Sequence, residues 1–348
     1  MSDVIEVVIL MGGSSSEREV SLVTGRAVLE AIDTSRYRPR PVDLQLPLRL
    51  ARVAAASGGS DAGVAAGPEG GLPVEEEASL LLDQIAPAGV RPDVVFIALH
   101  GRYGEDGCVQ GLLELLQIPY TGSGVLASAL AMDKIATKRL LRSCGLPTPR
   151  WTCSDGREGF RELKERVCSA CGYPCIVKPN REGSTVGASI VRGPESLEQA
   201  VQEALRYDRQ ALIEELVSGT EVTVGILQKG DEPLALPVVE IRPPGGFYDY
   251  RAKYTAGLTE KLCPAPLPQD VTADVQRIAL ETHRLLGCSG MSRVDLFITA
   301  DGPTVLEVNT IPGLTPTSLL PRAAQAARIS FSEMITMIIE SGLAEGVR

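Results

Sequence analysis

The chain has no hydrophobic run near the roughly 20 residues that a membrane-spanning helix needs. Its opening segment also lacks the apolar core of a signal peptide, because Asp3 and Glu6 interrupt it. From these two absences we expect a cytoplasmic protein without a membrane partner.

Positive charge is also scarce. Lys and Arg number 34 against 44 Asp and Glu, which gives a formal net charge of −10. Binding to nucleic acid depends on clustered cations that neutralise phosphates. We therefore expect small-molecule substrates and no nucleic-acid partner.

Ligands for a zinc site are few. The only histidines are His100 and His283, and Cys168, Cys171 and Cys175 form half of a zinc pattern with no second paired cluster after it. Eight cysteines in a long chain without an export signal are typical of reduced thiols. We interpret this cluster as buried structural thiols.

Two common nucleotide-binding loops are absent as well. The segment 12–16 (Gly-Gly-Ser-Ser-Ser) does not match G-x-G-x-x-G, which disfavours a Rossmann dehydrogenase. The glycine-rich segment 183–187 lacks the spacing of a Walker loop.

The 348 residues, 44% of them hydrophobic, provide enough apolar material for about two or three domains. Apolar runs at 4–10 and 94–99 are each followed by a turn and a helical pattern, so the first third is predicted to be an α/β layer with parallel strands. The predicted domains are 1–121, 122–213 and 214–348, with a flexible insertion at 51–71 that is rich in Ala, Gly and Ser.

Two apolar runs near the end, Val294 to Ile298 and Thr304 to Val308, are predicted to form a hairpin around a turn at 300–303. Alternation would then place four polar side chains on one face: Arg293, Asp295, Glu307 and Asn309. Oxygen ligands of this kind suit Mg²⁺ that is shared with substrate phosphates. The alternative is a surface hairpin with an ion pair between arginine and aspartate.

Lys178 stands in an otherwise apolar strand and needs an anion nearby. The glycine-rich turn 183–187 follows it and could fold over phosphate oxygens as a hairpin lid. Lys134, at the start of a predicted helix, is a second candidate cation, although a solvated lysine is the ordinary interpretation.

Glu214 and Glu215 end another apolar strand, and two adjacent carboxylates should face opposite sides of it. One of them could accept a hydrogen bond from an adenine amino group, and Glu221 could accept one from a ribose hydroxyl. Surface carboxylates are the alternative for all three.

Taken together, these segments resemble the ATP-grasp ligases, and further motifs resemble the D-alanine:D-alanine ligase family in particular. The further motifs are Gly12-Gly13 with Glu17 to Ser21, Ala98 to Gly101, Gly104 to Gly107, Tyr120 to Ser123, Tyr248 to Tyr250 with Lys253-Tyr254, and Asn309 to Thr315. The resemblance covers nearly the whole chain, and its specificity lies in the order and spacing of the motifs.

The resemblance implies a three-domain ATP-grasp fold of mixed α/β class, with ATP between the central and C-terminal domains. It assigns ATP to Lys134, Lys178, Glu182, Gly183, Ser184, Thr185, Glu214, Glu215, Val217 and Glu221. It assigns two Mg²⁺ ions, with Mn²⁺ as a possible substitute, to Asp295, Glu307 and Asn309. Glu215 departs from relatives that have a lysine there, so main-chain contacts are expected at that position.

The implied reaction joins two D-alanines through a D-alanyl phosphate for peptidoglycan precursors. Glu17, linked with Ser184 and Tyr254, would receive the ammonium of the first D-alanine, and His100 and Lys253 would help to place the substrates. Arg293 and the N–H of Gly313 would stabilise the oxyanion, and Ser318 with Leu319 would hold the second carboxylate. A capping box is the alternative for Glu17, a hydrogen-bonded structural histidine for His100, and a plain N-cap for Ser318.

The segment 242–257 is interpreted as a mobile loop that closes over the acyl phosphate. The depsipeptide-forming relatives lack a tyrosine at the position that matches Tyr254. The resemblance therefore implies that the product is a peptide and not an ester. The rival functions are a D-alanine:D-lactate ligase and a non-catalytic ATP-grasp nucleotide-binding protein. A homodimer is expected from the family.

Overall fold

The computed structural model describes residues 4–44, 83–243 and 259–347. The insertion predicted at 51–71 and most of the loop predicted at 242–257, with Lys253 and Tyr254, lie outside the described residues. The described helices include none that is long and apolar enough to cross a membrane.

The first part of the chain forms a three-stranded parallel sheet, as the sequence predicts. Its strands are β1 (Ile5–Gly12), β2 (Tyr37–Leu44) and β3 (Val94–Ile97), in the order β2-β1-β3. The described helices of this part include α1 (Arg18–Ala31), α2 (Cys108–Leu115) and a short 3-10 helix at Pro87–Gly89. All four residues of β3 are buried, as is typical of a parallel strand covered on both faces.

The middle of the chain begins with two helices, α3 (Val125–Met132) and α4 (Lys134–Ser143). A four-stranded antiparallel sheet of order β4-β7-β5-β6 follows. Its elements in chain order are β4 (Trp151–Ser154), α5 (Phe160–Ala170), β5 (Cys175–Pro179), β6 (Ser189–Val191), α6 (Leu197–Leu205) and β7 (Ala211–Glu215). The predicted hairpin of β5 and β6 around the glycine-rich tip is confirmed.

The last part contains an antiparallel sheet of order β11-β10-β8-β12-β13, with β9 paired to β8. Its elements are β8 (Thr220–Lys229), β9 (Glu232–Ala235), β10 (Val239–Arg242), β11 (Glu260–Leu262), α7 (Gln269–Leu285), β12 (Met291–Thr299), β13 (Gly302–Asn309), α8 (Leu319–Ala326) and α9 (Phe331–Glu345). The sequence predicts a terminal helix from Ser332 to Ile339. Helix α9 is longer than this, because Ser330 and Glu333 form a capping box and apolar residues continue to Leu343.

Three hydrophobic cores hold these parts together. One joins the parallel sheet to α8 and α9, so the two ends of the chain share a core. A second joins the C-terminal sheet to α7 and includes Ala131 of α3 and Leu141 of α4. The third lies between the central sheet and α5 and α6. Helices α3 and α4 thus pack against the C-terminal sheet, and the predicted domain boundaries at 121 and 213 stay a prediction.

The third core contains Cys171 and Cys175, which are buried as predicted. The prediction is wrong for Cys168, which is exposed because α5 buries the face of Leu163 and Val167.

Candidate active site

Two adjoining cavities lie where the three sheets meet. The larger, of about 380 Å³, lies between α1, the glycine-rich turn and the end of β13, and the smaller, of about 140 Å³, lies between the central and C-terminal sheets. Both are lined by Lys134, Glu182, Ser184 and Glu307. Every predicted site residue that the structure describes lines one of the two cavities, with the exception of Asp295.

The predicted hairpin of β12 and β13 has the expected register. Arg293 pairs with Asn309, and Asp295 pairs with Glu307, so the four polar side chains share one face. The turn is shorter than the predicted 300–303, because Gly302 already pairs with Thr299. Pro303 can belong to β13 because that strand is the outer one of its sheet, where proline is tolerated.

Asp295 is the most enclosed member of this face, at 8% exposure. Its Oδ1 accepts hydrogen bonds from Nε of Arg293 (2.8 Å) and from Oγ1 of Thr223 (2.6 Å). Its Oδ2 accepts from Nη2 of Arg293 (2.7 Å) and from Nδ2 of Asn309 (3.3 Å). The ion pair that the sequence offered as an alternative is therefore present. It holds the guanidinium of Arg293 at the wall of the larger cavity.

The anion beside Lys178 is Glu214. The ammonium of Lys178 lies 2.5 Å from Oε1 of Glu214, and the fully buried Lys138 lies 2.6 Å from Oε2 of the same carboxylate. Burial raises the pKa of Glu214, but Lys138 and Lys178 outweigh burial and bring its pKa below the usual range. Burial likewise lowers the pKa of Lys178, while Glu214 and Glu307 raise it above its ordinary value.

Glu215 faces away from this cluster, as strand alternation predicts. Its Oε2 accepts a hydrogen bond from Nε of Arg150 at 2.8 Å, and its Oε1 accepts one from the backbone N–H of Arg150 at 3.0 Å. Val217 and Glu221 line the smaller cavity together with Glu214 and Glu215.

Lys134 connects the two cavities. Its ammonium donates a hydrogen bond of 2.7 Å to the backbone carbonyl of Glu182 and lies 3.9 Å from Oε2 of Glu307. The side chain is buried, so the interpretation as a solvated helix lysine is wrong. Asp133 before it caps the helix by accepting from the N–H of Ala136.

The glycine-rich turn meets the N-terminal part of the chain at Glu17. The hydroxyl of Ser184 donates a hydrogen bond to Oε1 of Glu17. A Cβ at Gly183 would lie 2.9 Å from Oε2 of Glu17, so a side chain at this position would displace the carboxylate of Glu17. Ser184 and Thr185 have φ of 51° and 65°, a strained conformation for residues other than glycine and one that is concentrated at functional sites.

Glu17 is not part of a capping box. Helix α1 begins at Arg18, which makes Glu17 itself the N-cap residue, and no side chain caps the helix. The hydroxyl of Ser15 instead donates to the backbone carbonyl of His100 at 2.6 Å.

His100 lies buried in the wall of the larger cavity. Its Nε2 lies 3.0 Å from the hydroxyl of Thr24, and burial lowers its pKa, which favours the neutral imidazole. The histidine is therefore both hydrogen-bonded and placed at the cavity.

Ser318 and Leu319 open α8 as predicted, but the serine is not a plain N-cap. Its hydroxyl accepts from the N–H of Thr315 at 3.2 Å, and no hydrogen bond from the helix to its side chain is present. A Cβ at Gly313 would lie 3.1 Å from this hydroxyl, so Gly313 allows the serine to approach the loop.

Three further charged residues of this region were not singled out from the sequence. Glu105 in the Gly104 to Gly107 motif and Lys261 in β11 line the larger cavity. Lys138, one helical turn after Lys134, is fully buried and contacts Glu214, which lines the smaller cavity. The four-residue spacing of the two lysines places them on one face of α4 and could have indicated Lys138.

Glu105 gives a testable dependence on pH. Burial raises its pKa to about 8, against about 4.3 for an exposed glutamate. The folded protein thus keeps a proton that the unfolded chain releases, and this stabilisation is lost as pH rises between those two values. We expect Glu105→Gln, which can still accept from the N–H of Gly101, to flatten the fall of Tm between about pH 5 and 8. Parallel Tm profiles of variant and wild type would contradict this.

Known proteins match the chain from end to end. The family model described as D-ala D-ala ligase N-terminus matches residues 6–123, and that described as D-ala D-ala ligase C-terminus matches 140–340. A D-alanine--D-alanine ligase of Pelotomaculum thermopropionicum is 44% identical, with 97% of this chain and 96% of that protein covered. One of Syntrophotalea carbinolica is also 44% identical, over 96% of this chain and 95% of that protein.

Solved structures of D-alanine--D-alanine ligases also match the chain over nearly its whole length. The D-alanine--D-alanine ligase of Bacillus anthracis complexed with ATP superposes with a TM-score of 0.75 at 32% identity, with 98% of both chains covered. That of Coxiella burnetii gives a TM-score of 0.77 at 27% identity, over 99% of this chain and 95% of that chain. The predicted ATP-grasp fold is thereby confirmed, and the chain belongs to the D-alanine–D-alanine ligase family.

Proposed function

We propose that the protein joins two D-alanines into D-alanyl-D-alanine with conversion of ATP to ADP and phosphate, in the supply of peptidoglycan precursors. The observation that carries this proposal is the meeting of the two cavities at Lys134, Glu182, Ser184 and Glu307. A nucleotide in the smaller cavity would end with its phosphates at this junction. An amino acid in the larger cavity would present its carboxylate there.

The smaller cavity supplies groups suited to a nucleotide. Lys134 and Lys178 would neutralise the phosphates, and the turn from Glu182 to Thr185 would cover them. The segment from Glu214 to Val217 would contact adenine, and Glu221 would bind the ribose. Glu215 is paired with Arg150, so we assign its adenine contact to the main chain.

Lys134 would lower the electrostatic barrier to phosphoryl transfer. Transfer of the γ-phosphoryl group to the first D-alanine brings two anions together: a carboxylate oxygen attacks phosphorus, and ADP leaves. Lys134, already at the junction, lowers the repulsion between them. The product of this step is D-alanyl phosphate.

The larger cavity would hold the amino acids. Glu17, fixed by the hydroxyl of Ser184, would pair with the ammonium of the first D-alanine, with His100 beside it. The carboxylate of the second would lie at Ser318 and the N–H of Leu319, where the positive end of the α8 dipole favours an anion. Its amine attacks the acyl carbon, phosphate leaves, and the new amide nitrogen releases a proton. Arg293 and the N–H of Gly313 would bind the oxyanion.

The proposal includes two Mg²⁺ ions held by Glu307, Asn309 and Asp295. Glu307 and Asn309 line the larger cavity, and Nδ2 of Asn309 is turned to Asp295, which leaves the amide oxygen of Asn309 for a cation. Asp295 would become a third ligand if one of its oxygens gave up its hydrogen bond from Arg293 and bound a cation instead. Bound Mg²⁺ supplies charge neutralisation for the nucleotide phosphates.

Phosphate release with D-alanine as the only amino acid tests the function, with the product identified by mass spectrometry. Dipeptide with one phosphate per bond is expected. ATP binding without phosphate release would indicate a non-catalytic nucleotide-binding protein. An ester formed when D-lactate is added would indicate a D-alanine:D-lactate ligase.

Tyr254, outside the described residues, provides a second test of the product. We expect Tyr254→Phe to weaken dipeptide synthesis and leave Tm unchanged, because the family resemblance links its hydroxyl with Glu17 and Ser184 in substrate binding. A fall in Tm with full activity would assign Tyr254 to packing instead.

A homodimer is also proposed, from family membership alone. Light scattering on the purified protein tests it, since a single species at the chain mass of 37.0 kDa would contradict a dimer.

A further inference from the structure

Lys138 is a lysine with no contact to solvent and no role in the reaction described above. Its side chain has 0% exposure, and its ammonium lies 2.6 Å from Oε2 of Glu214. It also donates a hydrogen bond of 2.8 Å to the hydroxyl of Thr148, which in turn donates to the backbone carbonyl of Val305 at 2.9 Å. These contacts tie α4 to β13 two residues before Glu307.

Glu214 therefore has two lysine partners, and one carboxylate can neutralise only one of them. The other partner, Lys178, lies 2.5 Å from Oε1 of Glu214 and lines the smaller cavity with a side-chain exposure of 16%. The three groups together carry one excess positive charge. Because Lys138 has no exposed surface, only Lys178 can deliver that charge to a ligand.

If Lys138 were missing, a move of Lys178 towards a phosphate would leave the carboxylate of Glu214 without a counter-ion. A buried carboxylate that loses its last counter-ion is strongly unfavourable. With Lys138 present, Glu214 keeps one ion pair after Lys178 has left. Lys138 thus makes the exchange of Lys178 from Glu214 to a nucleotide energetically accessible.

We propose that Lys138 is a positioning residue, which holds Glu214 as the permanent half of a buried ion pair and so releases Lys178 for the phosphates of the nucleotide. The inference rests on the proposed function in one respect, namely that the nucleotide occupies the smaller cavity. Lys138 itself touches no substrate in this arrangement.

The test is a double-mutant cycle that uses Lys138→Met and Glu214→Gln, read by calorimetric binding of adenosine and of a non-hydrolysable ATP analogue. Lys138→Met should weaken the ATP analogue by at least about 10-fold and adenosine by less than about 3-fold, since only the analogue needs Lys178. In the Glu214→Gln background, Lys178 has no anionic competitor, and burial favours a neutral Lys138. The same Lys138→Met change should then cost less than about 3-fold.

Lys138→Arg, which keeps the charge, should recover part of the loss. Equal weakening of adenosine and the ATP analogue, or an equal cost of Lys138→Met in both backgrounds, would overturn the proposal and leave Lys138 a structural residue. If Lys138→Met alone does not fold, the affinity for the ATP analogue is compared between Glu214→Gln and the double variant. Similar affinities are expected, and a clear difference between the two would contradict the proposal. Wild-type protein that binds neither ligand would contradict the proposed function itself, which separates the two failures.

Discussion

Arg293→Ala is expected to lower turnover by roughly 100- to 1,000-fold, the effect of removing one oxyanion donor in other enzymes. The guanidinium is held by two hydrogen bonds to Asp295 and lies at the wall of the larger cavity, which Gly313 also lines. A group used mainly in the transition state affects kcat far more than substrate binding. Steady-state kinetics should therefore show a fall in kcat, while calorimetry still detects ATP binding.

Stability needs a separate measurement in this variant. Asp295 loses two hydrogen bonds, which costs about 1–3 kcal/mol for a buried acceptor, so Tm should fall modestly. Arg277→Ala is a matched control, because Arg277 pairs with Asp274 and Glu281 on the exposed face of α7, away from both cavities. Its turnover should equal that of wild type. Unchanged turnover in Arg293→Ala would remove this residue from the mechanism.

Glu307→Gln should lower turnover by about 100-fold and raise the Mg²⁺ concentration needed for half-maximal rate, because a carboxylate is a far better ligand for this cation than an amide. The change keeps the shape of the side chain at the junction of the two cavities and removes one charge 3.9 Å from Lys134. Without Mg²⁺, the more positive junction should bind ATP as well as wild type or better.

A titration of rate against Mg²⁺, with ATP binding measured in chelator, separates the two effects. Glu232→Gln serves as the control, since the side chain of Glu232 is 83% exposed. The same Mg²⁺ titration curve in Glu307→Gln and wild type would refute a metal-binding role for Glu307. Weaker ATP binding by Glu307→Gln in chelator would instead indicate that Glu307 maintains the structure of the cavity.

Local patterns in the sequence predicted the elements that carry these residues. The sequence predicts a charged helix from Phe160 to Ala170, and α5 has these bounds, because its helical periodicity is clear over its whole length. The shared face of Arg293 and Glu307 followed from strand alternation, which depends only on neighbouring residues. The hairpin turn was placed too broadly, because proline at an outer strand does not end pairing.

Contacts between distant segments could not be read in the same way. Ser184 donates to Glu17 across 167 residues. Lys138 lies on α4, which packs against the C-terminal sheet, yet it meets Glu214 of β7 in the central sheet. The enclosure of Asp295 by four hydrogen bonds also depends on Thr223 of the neighbouring strand. None of these partners is indicated by the spacing around the residue itself.

The amino-acid sequence by itself determined the family, several of the helices and strands, and which polar side chains share one face of the hairpin of β12 and β13. These properties depend on local periodicity and on motif order. Only the tertiary structure decided that two cavities meet at Lys134 and Glu307, and that Lys178 shares its carboxylate with a second, buried lysine. The physical reason is that the partner and the burial of a charged group depend on how the three sheets pack together, and this packing brings together residues that are far apart in the chain.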